Sequence, residues 1–207
     1  MRNIHCGWHK CQEWYLLIGN HRLCDILIKI SIWDDSGNAL YPDTAFEQWK
    51  ELNEIIRENG KTIFFVGNGA SASMASHFAA DVAKNAGIRT NVFTDTALMT
   101  ALANDLCYEE VYAEPLRWNM KAGDMLVAIS SSGNSPNIVR AVKTAKNLNG
   151  TVITLSAMGE DNVIRKLGDL NFYVPVQTYG LAETAHAAIL HYWMDMLEDT
   201  SRNHPSH

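Results

Sequence analysis

Hydrophobic residues along the chain fall into short runs separated by longer stretches with helical spacing. The strand-sized runs, rich in β-branched and aromatic residues, lie at 62–66, 90–94, 125–129, 151–155 and 171–175. Most of the intervals between them can hold a helix, as at 71–86 and 136–147. This alternation is typical of a parallel sheet covered on both faces. We therefore predict an α/β fold, a three-layer α/β/α sandwich with a central five-stranded parallel sheet.

An amphipathic helix is predicted before the first of these strands. Phe46, Trp49, Leu52 and Ile56 recur at three- and four-residue spacing, and the pattern ends near Asn59. Asp43 is the expected N-cap. The apolar face of this helix belongs either to the core or to a subunit contact. Periodicity is weak earlier in the chain, so we divide it into an arm of unassigned structure (1–42), one domain (43–198) and a polar tail (199–207).

Composition limits the classes of function. The chain has 17 Lys and Arg against 23 Asp and Glu, a net charge of -6, and no basic cluster, which argues against nucleic-acid binding. Its apolar runs are far shorter than the ~20 residues of a membrane span. The four cysteines, at positions 6, 11, 24 and 107, form no zinc or disulfide pattern. With no secretory signal at the start, we expect a soluble cytoplasmic protein with reduced thiols.

Two of the predicted strands end in loops of small polar residues. One loop is Gly67-Asn68-Gly69-Ala70-Ser71-Ala72-Ser73, and the other is Ser130-Ser131-Ser132-Gly133-Asn134-Ser135-Pro136. A buried strand that turns through such residues into a helix directs backbone N–H groups at one point, where the helix dipole favours an anion. Ligands of open parallel sheets bind beyond the carboxyl ends of the strands. Together the loops predict a phosphate site.

The second loop has more donors than its own structure needs. Ser135 is placed to cap a helix with Pro136 in its first turn, which leaves four polar side chains as donors: Ser130, Ser131, Ser132 and Asn134. The alternative is a polar turn that only caps its own helix. The first loop lacks Gly-Lys-Ser/Thr and the third glycine of the dinucleotide fingerprint, which argues against a nucleotide cofactor.

Histidines and carboxylates recur at helical spacing in two segments. His77 and Asp81 are four residues apart. Glu183 and His191 are eight apart, so each pair lies on one face of its helix. If the helices face each other, this set can bind a divalent metal or act as a general acid–base pair. The alternative for Asp81 is a solvated position without function, and we assign His186 to the core.

Five segments in this order and spacing resemble the sugar isomerase (SIS) domain family, and within it the phosphoheptose isomerases. The resemblance covers about residues 43–198, and its segments are Gly67–Ser71, His77–Asp81, Ala103–Asp105, Ile129–Ser135 and Glu183–His191. It implies a SIS-type sandwich and the conversion of a seven-carbon ketose phosphate, sedoheptulose 7-phosphate, into its aldose through an enediol.

The resemblance also implies roles for individual residues. The phosphate would be held by Ser71, Ser130, Ser132 and Ser135, with Ser131 and Asn134 nearby. Asn68, Asp105 and Glu183 would contribute to the sugar site. The base falls on Asp81 and the acid on His191. Zinc ligands fall on His77, Asp81, Glu183 and His191, and the assembly implied is a homotetramer with sites between subunits.

This chain departs from the usual isomerase pattern at two of these positions. Asp81 stands where the isomerases usually have Glu, and Glu183 where they usually have Gln. Two other classes remain. A non-catalytic SIS protein would bind a sugar phosphate or a protein partner such as a replication initiator, but it should lack the acid–base pair. A sugar-phosphate-responsive regulator should carry a basic recognition segment, which is missing here.

Overall fold

The structure is a computed structural model that describes residues 23–203, with side chains described to residue 198. Its strands are β1 Ser31–Asp34, β2 Ala39–Leu40, β3 Thr62–Gly67, β4 Arg89–Val92, β5 Met125–Ser130, β6 Thr151–Ala157 and β7 Leu170–Val174. Its helices are α1 Pro42–Glu58, α2 Ala70–Ala86, α3 Thr96–Asp105, α4 Glu110–Asn119, α5 Pro136–Asn147 and α6 Tyr179–Asn203, with a 3-10 turn at Val163–Lys166. Most of the predicted N-terminal arm and the end of the predicted tail lie outside the described residues.

The strands form one sheet in the order β2-β1-β7-β6-β5-β3-β4. All pairings among β3 to β7 are parallel, which confirms the five predicted strands. The sheet has seven strands rather than five, because β1 and β2 add an antiparallel pair at the β7 edge. These two strands are short and their turn is exposed. Their hydrophobic pattern is therefore too brief to predict from sequence.

Helices cover both faces of the sheet, as the near-continuous hydrophobic strands require. In β3, Ile63 and Phe65 pack in the core beneath α1, α2 and α6. Phe64 and Val66 point to the opposite face and pack with residues of α3, α4 and α5. The three layers predicted from the sequence are therefore present.

Helix α1 belongs to the core of its own chain. Phe46, Trp49 and Ile56 are buried, and the Trp49 ring stacks on Trp193 of α6 at 4.4 Å between centroids. The prediction that Asp43 caps this helix is wrong, since the N-cap is Tyr41 and makes no side-chain cap bond. Pro42 at the first helical position fixes a helical φ two residues earlier than expected, which places Asp43 inside the first turn.

Two expectations from composition can be compared with the described residues. No helix within residues 23–203 is long and apolar enough to cross a membrane. Cys24 and Cys107 are exposed free thiols. The other two cysteines, at positions 6 and 11, lie outside the described part of the chain.

Candidate active site

The two polar loops meet at the carboxyl ends of the central strands. Gly67 of β3 is paired with Ile129 of β5, so both loops leave the sheet at the same level. With the start of α6 they line a cavity of about 140 Å³, which we call the serine cavity. Its lining residues are Asn68, Ser71, Ile129, Ser130, Ser131, Ser132, Ser135, Tyr179 and Glu183. Seven predicted site residues are therefore brought together, and Tyr179 joins them without a signal in the sequence.

Close backbone approaches shape both loops. A Cβ on Gly67 would lie 2.6 Å from the backbone of Ser71. Gly133 has φ +63°, and a Cβ there would lie 2.0 Å from Oδ1 of the buried Asn162. Asn162 is anchored in turn by donating to the Gly159 carbonyl at 2.8 Å. The loops therefore need glycine at these positions because no side chain fits.

Hydroxyl groups inside the serine cavity are left available for a ligand. Ser71, Ser130 and Ser131 are each about 95% buried, being 4–5% exposed. Among the described residues, Ser131 Oγ has no hydrogen-bond partner. An unpartnered buried hydroxyl costs about 1–3 kcal/mol unless water or a ligand satisfies it. The loop thus retains donors that a self-capping turn would have used.

Ser135 shows the same availability at the start of α5. It is the N-cap residue, as predicted, but its side chain makes no cap bond. Its hydroxyl lies instead 3.4 Å from that of Ser132. The Ile138 N–H, to which a capping hydroxyl would otherwise bond, donates to the Asn137 side chain at 3.0 Å, so the helix does not need the Ser135 hydroxyl as a cap.

Two predicted site residues lie outside the serine cavity. Asn134 is exposed, and its Oδ1 accepts a hydrogen bond from the Val163 backbone N–H at 2.9 Å. It holds the loop against the 3-10 turn. Asp105 is exposed at the end of α3 and accepts from the Asn104 side chain at 2.9 Å. Within the described chain neither residue lines the cavity.

The serine cavity carries one charged side chain, and it is negative. Glu183 is partly buried, and none of the described lining residues is Lys or Arg. An anion there must be held by hydroxyls, by backbone N–H groups and by the N-terminal ends of α2 and α5. Binding therefore depends on loop geometry rather than on a pairing cation.

A second group of side chains lies further along the same helix pair. His77 Nε2 is 3.2 Å from Asp81 Oδ2 on α2. The His77 ring is 5.6 Å from the His191 ring on α6, and His191 also packs edge-on against Phe78 at 4.8 Å. We call His77, Asp81 and His191 the acid–base cluster. The two helices therefore face each other at these three residues, which is the condition on which the predicted acid–base pair depends.

Glu183 does not join this cluster. It precedes His191 by eight residues, about 12 Å along a helix that rises 1.5 Å per residue, and it lines the serine cavity instead. The described residues contain no group of three or more His, Cys, Asp or Glu side chains placed to hold a metal. The four predicted zinc ligands are therefore not gathered around one point in the described chain, and we derive no reaction step through a metal.

His186 is confirmed as a core residue. It is completely buried on α6, and its Nε2 lies 3.2 Å from the Ser156 carbonyl on β6. Burial disfavours the charged ring and lowers the pKa of His186 to about 4, although the carbonyl contact acts in the opposite direction. The imidazole is therefore neutral at physiological pH. Ser156 pairs with Ser130 in the sheet, so this histidine lies behind the serine loop.

Sequence reasoning missed a polar residue beside the cavity. Asn137 is 2% exposed on α5, and its side-chain amide pairs with that of Asn68. It shares a helical face with the buried Ala141 and Ala145. A polar residue on an otherwise apolar face was the signal that could have identified it.

The fold and the serine cavity define an α/β protein with a small, hydroxyl-lined cavity at the carboxyl ends of its central strands. Residues 47–157 match the SIS domain family model. A phosphoheptose isomerase of Helicobacter pylori (strain Shi470) is 37% identical over 154 residues, 71% of this chain and 79% of that protein. One of Shewanella denitrificans is 32% identical over 174 residues, 80% of this chain and 88% of that protein.

Solved structures agree with the sequence comparison. The phosphoheptose isomerase GmhA of Neisseria gonorrhoeae superposes with a TM-score of 0.78 at 26% identity, covering 93% of this chain and 100% of that one. A phosphoheptose isomerase of Francisella tularensis shares the fold, with a TM-score of 0.74 at 22% identity over 92% of this chain and 97% of that one. This chain belongs to the phosphoheptose isomerase family of SIS-domain proteins.

Proposed function

We propose that this chain is an aldose–ketose isomerase that converts sedoheptulose 7-phosphate into D-glycero-D-manno-heptose 7-phosphate through an enediol. One observation carries the proposal beyond family membership. The starts of α2 and α6 line the serine cavity together with the loop after β5, and the acid–base cluster lies further along the same two helices. An isomerase of a phosphorylated sugar needs both groups at a fixed separation.

The serine cavity suits the phosphate end of such a substrate. Its volume of about 140 Å³ is well below the about 300–1,000 Å³ of pockets that enclose a drug-sized ligand. Only part of a heptose phosphate therefore fits inside it. Ser71 and His77 lie six residues apart on α2, about 9 Å along the helix axis. The sugar carbons extend from the cavity toward the acid–base cluster.

The acid–base cluster supplies the groups that isomerisation requires. Asp81 takes a proton from the carbon beside the carbonyl and returns it to the former carbonyl carbon. His191 moves the accompanying proton between the two oxygens, so that the enediol forms and collapses without net proton change. His77, 3.2 Å from the Asp81 carboxylate, holds that carboxylate in place. The phosphate, bound away from the reacting carbons, fixes orientation.

Assembly completes this proposal. The cluster is open to solvent, with the His77 side chain 54% exposed, whereas proton transfer to a reactive enediol benefits from excluding water. We expect a homotetramer in which a neighbouring subunit covers the cluster. Sedimentation of a stable monomer would contradict it. The expected cellular location is the cytoplasm.

The acid–base assignment is tested by replacing its two members. Asp81→Asn and His191→Ala should each lower kcat on sedoheptulose 7-phosphate by about 10²–10⁴-fold. KM should change little, because neither residue lines the serine cavity. The matched control is Asp35→Asn, which removes an exposed carboxylate in the turn after β1. Equal kcat in the parent and both variants would contradict the assignment.

A requirement for zinc stays a prediction and is tested separately. The parent is assayed with added zinc and after treatment with a chelator. Loss of activity on chelation, restored by zinc, would support a metal site completed by residues of another subunit. Unchanged activity after chelation would contradict the requirement for zinc and would not affect the acid–base assignment.

A further inference from the structure

The buried amide of Asn137 connects the two loops of the serine cavity. Its Nδ2 donates to Asn68 Oδ1 at 2.8 Å, and Asn68 Nδ2 donates back to Asn137 Oδ1 at 3.0 Å. Asn68 lines the cavity, whereas Asn137 does not. Asn137 therefore influences a ligand only through Asn68.

Backbone geometry fixes which way the two amides face. The Ile138 N–H donates to Asn137 Oδ1 at 3.0 Å. Only an oxygen can accept there, so the Asn137 amide cannot be turned over without losing this bond. Its NH₂ group must then face Asn68. Because the pairing is reciprocal, the oxygen of Asn68 is held on the side of Asn137.

This orientation decides what Asn68 offers to a ligand. Its oxygen already accepts from Asn137 and, at 3.4 Å, from the Tyr108 hydroxyl. Its nitrogen carries two hydrogens, and the pairing with Asn137 uses one. The other is available as a donor, which matches the oxygens of a phosphorylated sugar. A reversed amide would present a carbonyl oxygen to an anion and repel it.

We propose that Asn137 is a positioning residue that locks Asn68 as a hydrogen-bond donor in the serine cavity. This rests on the proposed function, in which the cavity holds a phosphorylated sugar. Asn68 lies in the loop after β3, and Asn137 follows the loop after β5. The same amide pair therefore also holds the two walls of the cavity together.

A double-mutant cycle tests this role. Asn137→Ala should raise the KM for sedoheptulose 7-phosphate about tenfold, the loss expected for one hydrogen bond in a buried site, with kcat within about twofold. In an Asn68→Ala background the same substitution should raise KM no further, because the group it positions is gone. Asn147→Ala, an exposed asparagine at the other end of α5, is the matched control.

Folding and function are separated within the same experiment. Ile138 N–H keeps a second acceptor, the Ser135 carbonyl at 3.0 Å, so α5 retains its first turn in the variant. If Asn137→Ala fails to fold, Asn137→Ser replaces it, because its hydroxyl can accept from Ile138 N–H but is too short to pair with Asn68. An equal rise of KM in both backgrounds, no rise in either, or a loss confined to kcat would overturn the proposal.

The cycle also remains informative if the parent is not an isomerase. In that case the proposed function fails, and the dissociation constant of sedoheptulose 7-phosphate, measured by calorimetry on the same four proteins, replaces KM. The proposal is supported if binding weakens about tenfold in Asn137→Ala and if the double variant binds as well as Asn68→Ala alone. Additive losses, or none, overturn it.

Discussion

The serine cavity and the acid–base cluster both use α2 and α6, the cavity together with the loop after β5, but they differ in how completely one chain builds them. The three inner serines of the cavity are 4–5% exposed, whereas the His77 side chain of the cluster is 54% exposed. The cavity is shaped by backbone: strand ends, glycines and helix N-termini. The cluster is made of side chains on helix surfaces. The cavity proposed for the phosphate is therefore preorganised within a single chain, while the proposed acid–base cluster is open to solvent.

The contacts that hold the two loops of the serine cavity in place explain why it is more completely formed than the acid–base cluster. Register in the parallel sheet places both loops side by side, because Gly67 pairs with Ile129. Buried asparagines then hold them, Asn162 behind Gly133 and Asn137 beside Asn68. The cluster has one internal contact of this kind, between His77 and Asp81. Substitutions behind the cavity should therefore act on stability and binding together.

The largest such effect is expected at Gly133. Gly133→Ala combines a left-handed backbone, which costs about 1–2 kcal/mol for a non-glycine residue, with a Cβ 2.0 Å from Asn162. Displacing Asn162 breaks its bonds to Gly159 and to the Arg165 N–H, for about 2 kcal/mol more. We expect the free energy of unfolding to fall by about 3–4 kcal/mol in total, measured by urea titration, and the KM to rise.

Gly87→Ala is the control that isolates the backbone contribution. Gly87 has φ +65° at the end of α2, and a Cβ there would meet nothing within 4 Å. It should lose only about 1–2 kcal/mol and leave KM unchanged. Equal losses at both positions would show that Asn162 moves aside for the added methyl group, and that the cavity wall is not rigid at this point.

A second effect on stability should come from His186 as the pH falls. Because burial lowers its pKa to about 4, the unfolded chain takes up a proton near pH 6.5 that the folded chain does not. Stability is therefore fully present above about pH 6.5 and falls as the pH drops toward 4. The 2.5-unit difference corresponds to about 3 kcal/mol. His186→Leu should flatten this part of the curve, measured by urea titration at several pH values.

A stability curve that keeps the same slope in His186→Leu would contradict this assignment. The slope would then come from other groups that titrate in the range.

Local pattern was sufficient to predict most of the sheet and both loops. Each parallel strand is a hydrophobic run bounded by polar residues, and each loop follows its strand directly, so short-range spacing carries the information. The pairing of His77 with Asp81 on one helix face followed from the same periodicity, since it depends on neighbours within a few residues. That the helix of His191 faces this pair was only a condition of the prediction.

The remaining features depend on contacts between distant residues. Asn137 reaches Asn68 across 69 positions in the sequence, and the short strands β1 and β2 are defined by their pairing with β7. Glu183 and His191 share a helix face, yet one lines the serine cavity and the other belongs to the cluster. Helical periodicity predicts which face of the helix a residue lies on, but not which neighbouring element it contacts at that point along the helix axis.

The smallest expected effect concerns the one charge in the serine cavity. Glu183 lines the cavity proposed for the phosphate, and the described lining residues include no cation. Glu183→Gln removes this repulsion and should lower the KM for sedoheptulose 7-phosphate by about three- to tenfold. Tenfold corresponds to about 1.4 kcal/mol of binding free energy, which allows for screening by solvent. The parent's KM should fall as salt is added, because salt screens the repulsion, and the variant's should not. Glu160→Gln, an exposed carboxylate away from the cavity, is the control. A higher KM in Glu183→Gln would show instead that the carboxylate accepts a sugar hydroxyl, and the cavity would then bind more of the substrate than its phosphate.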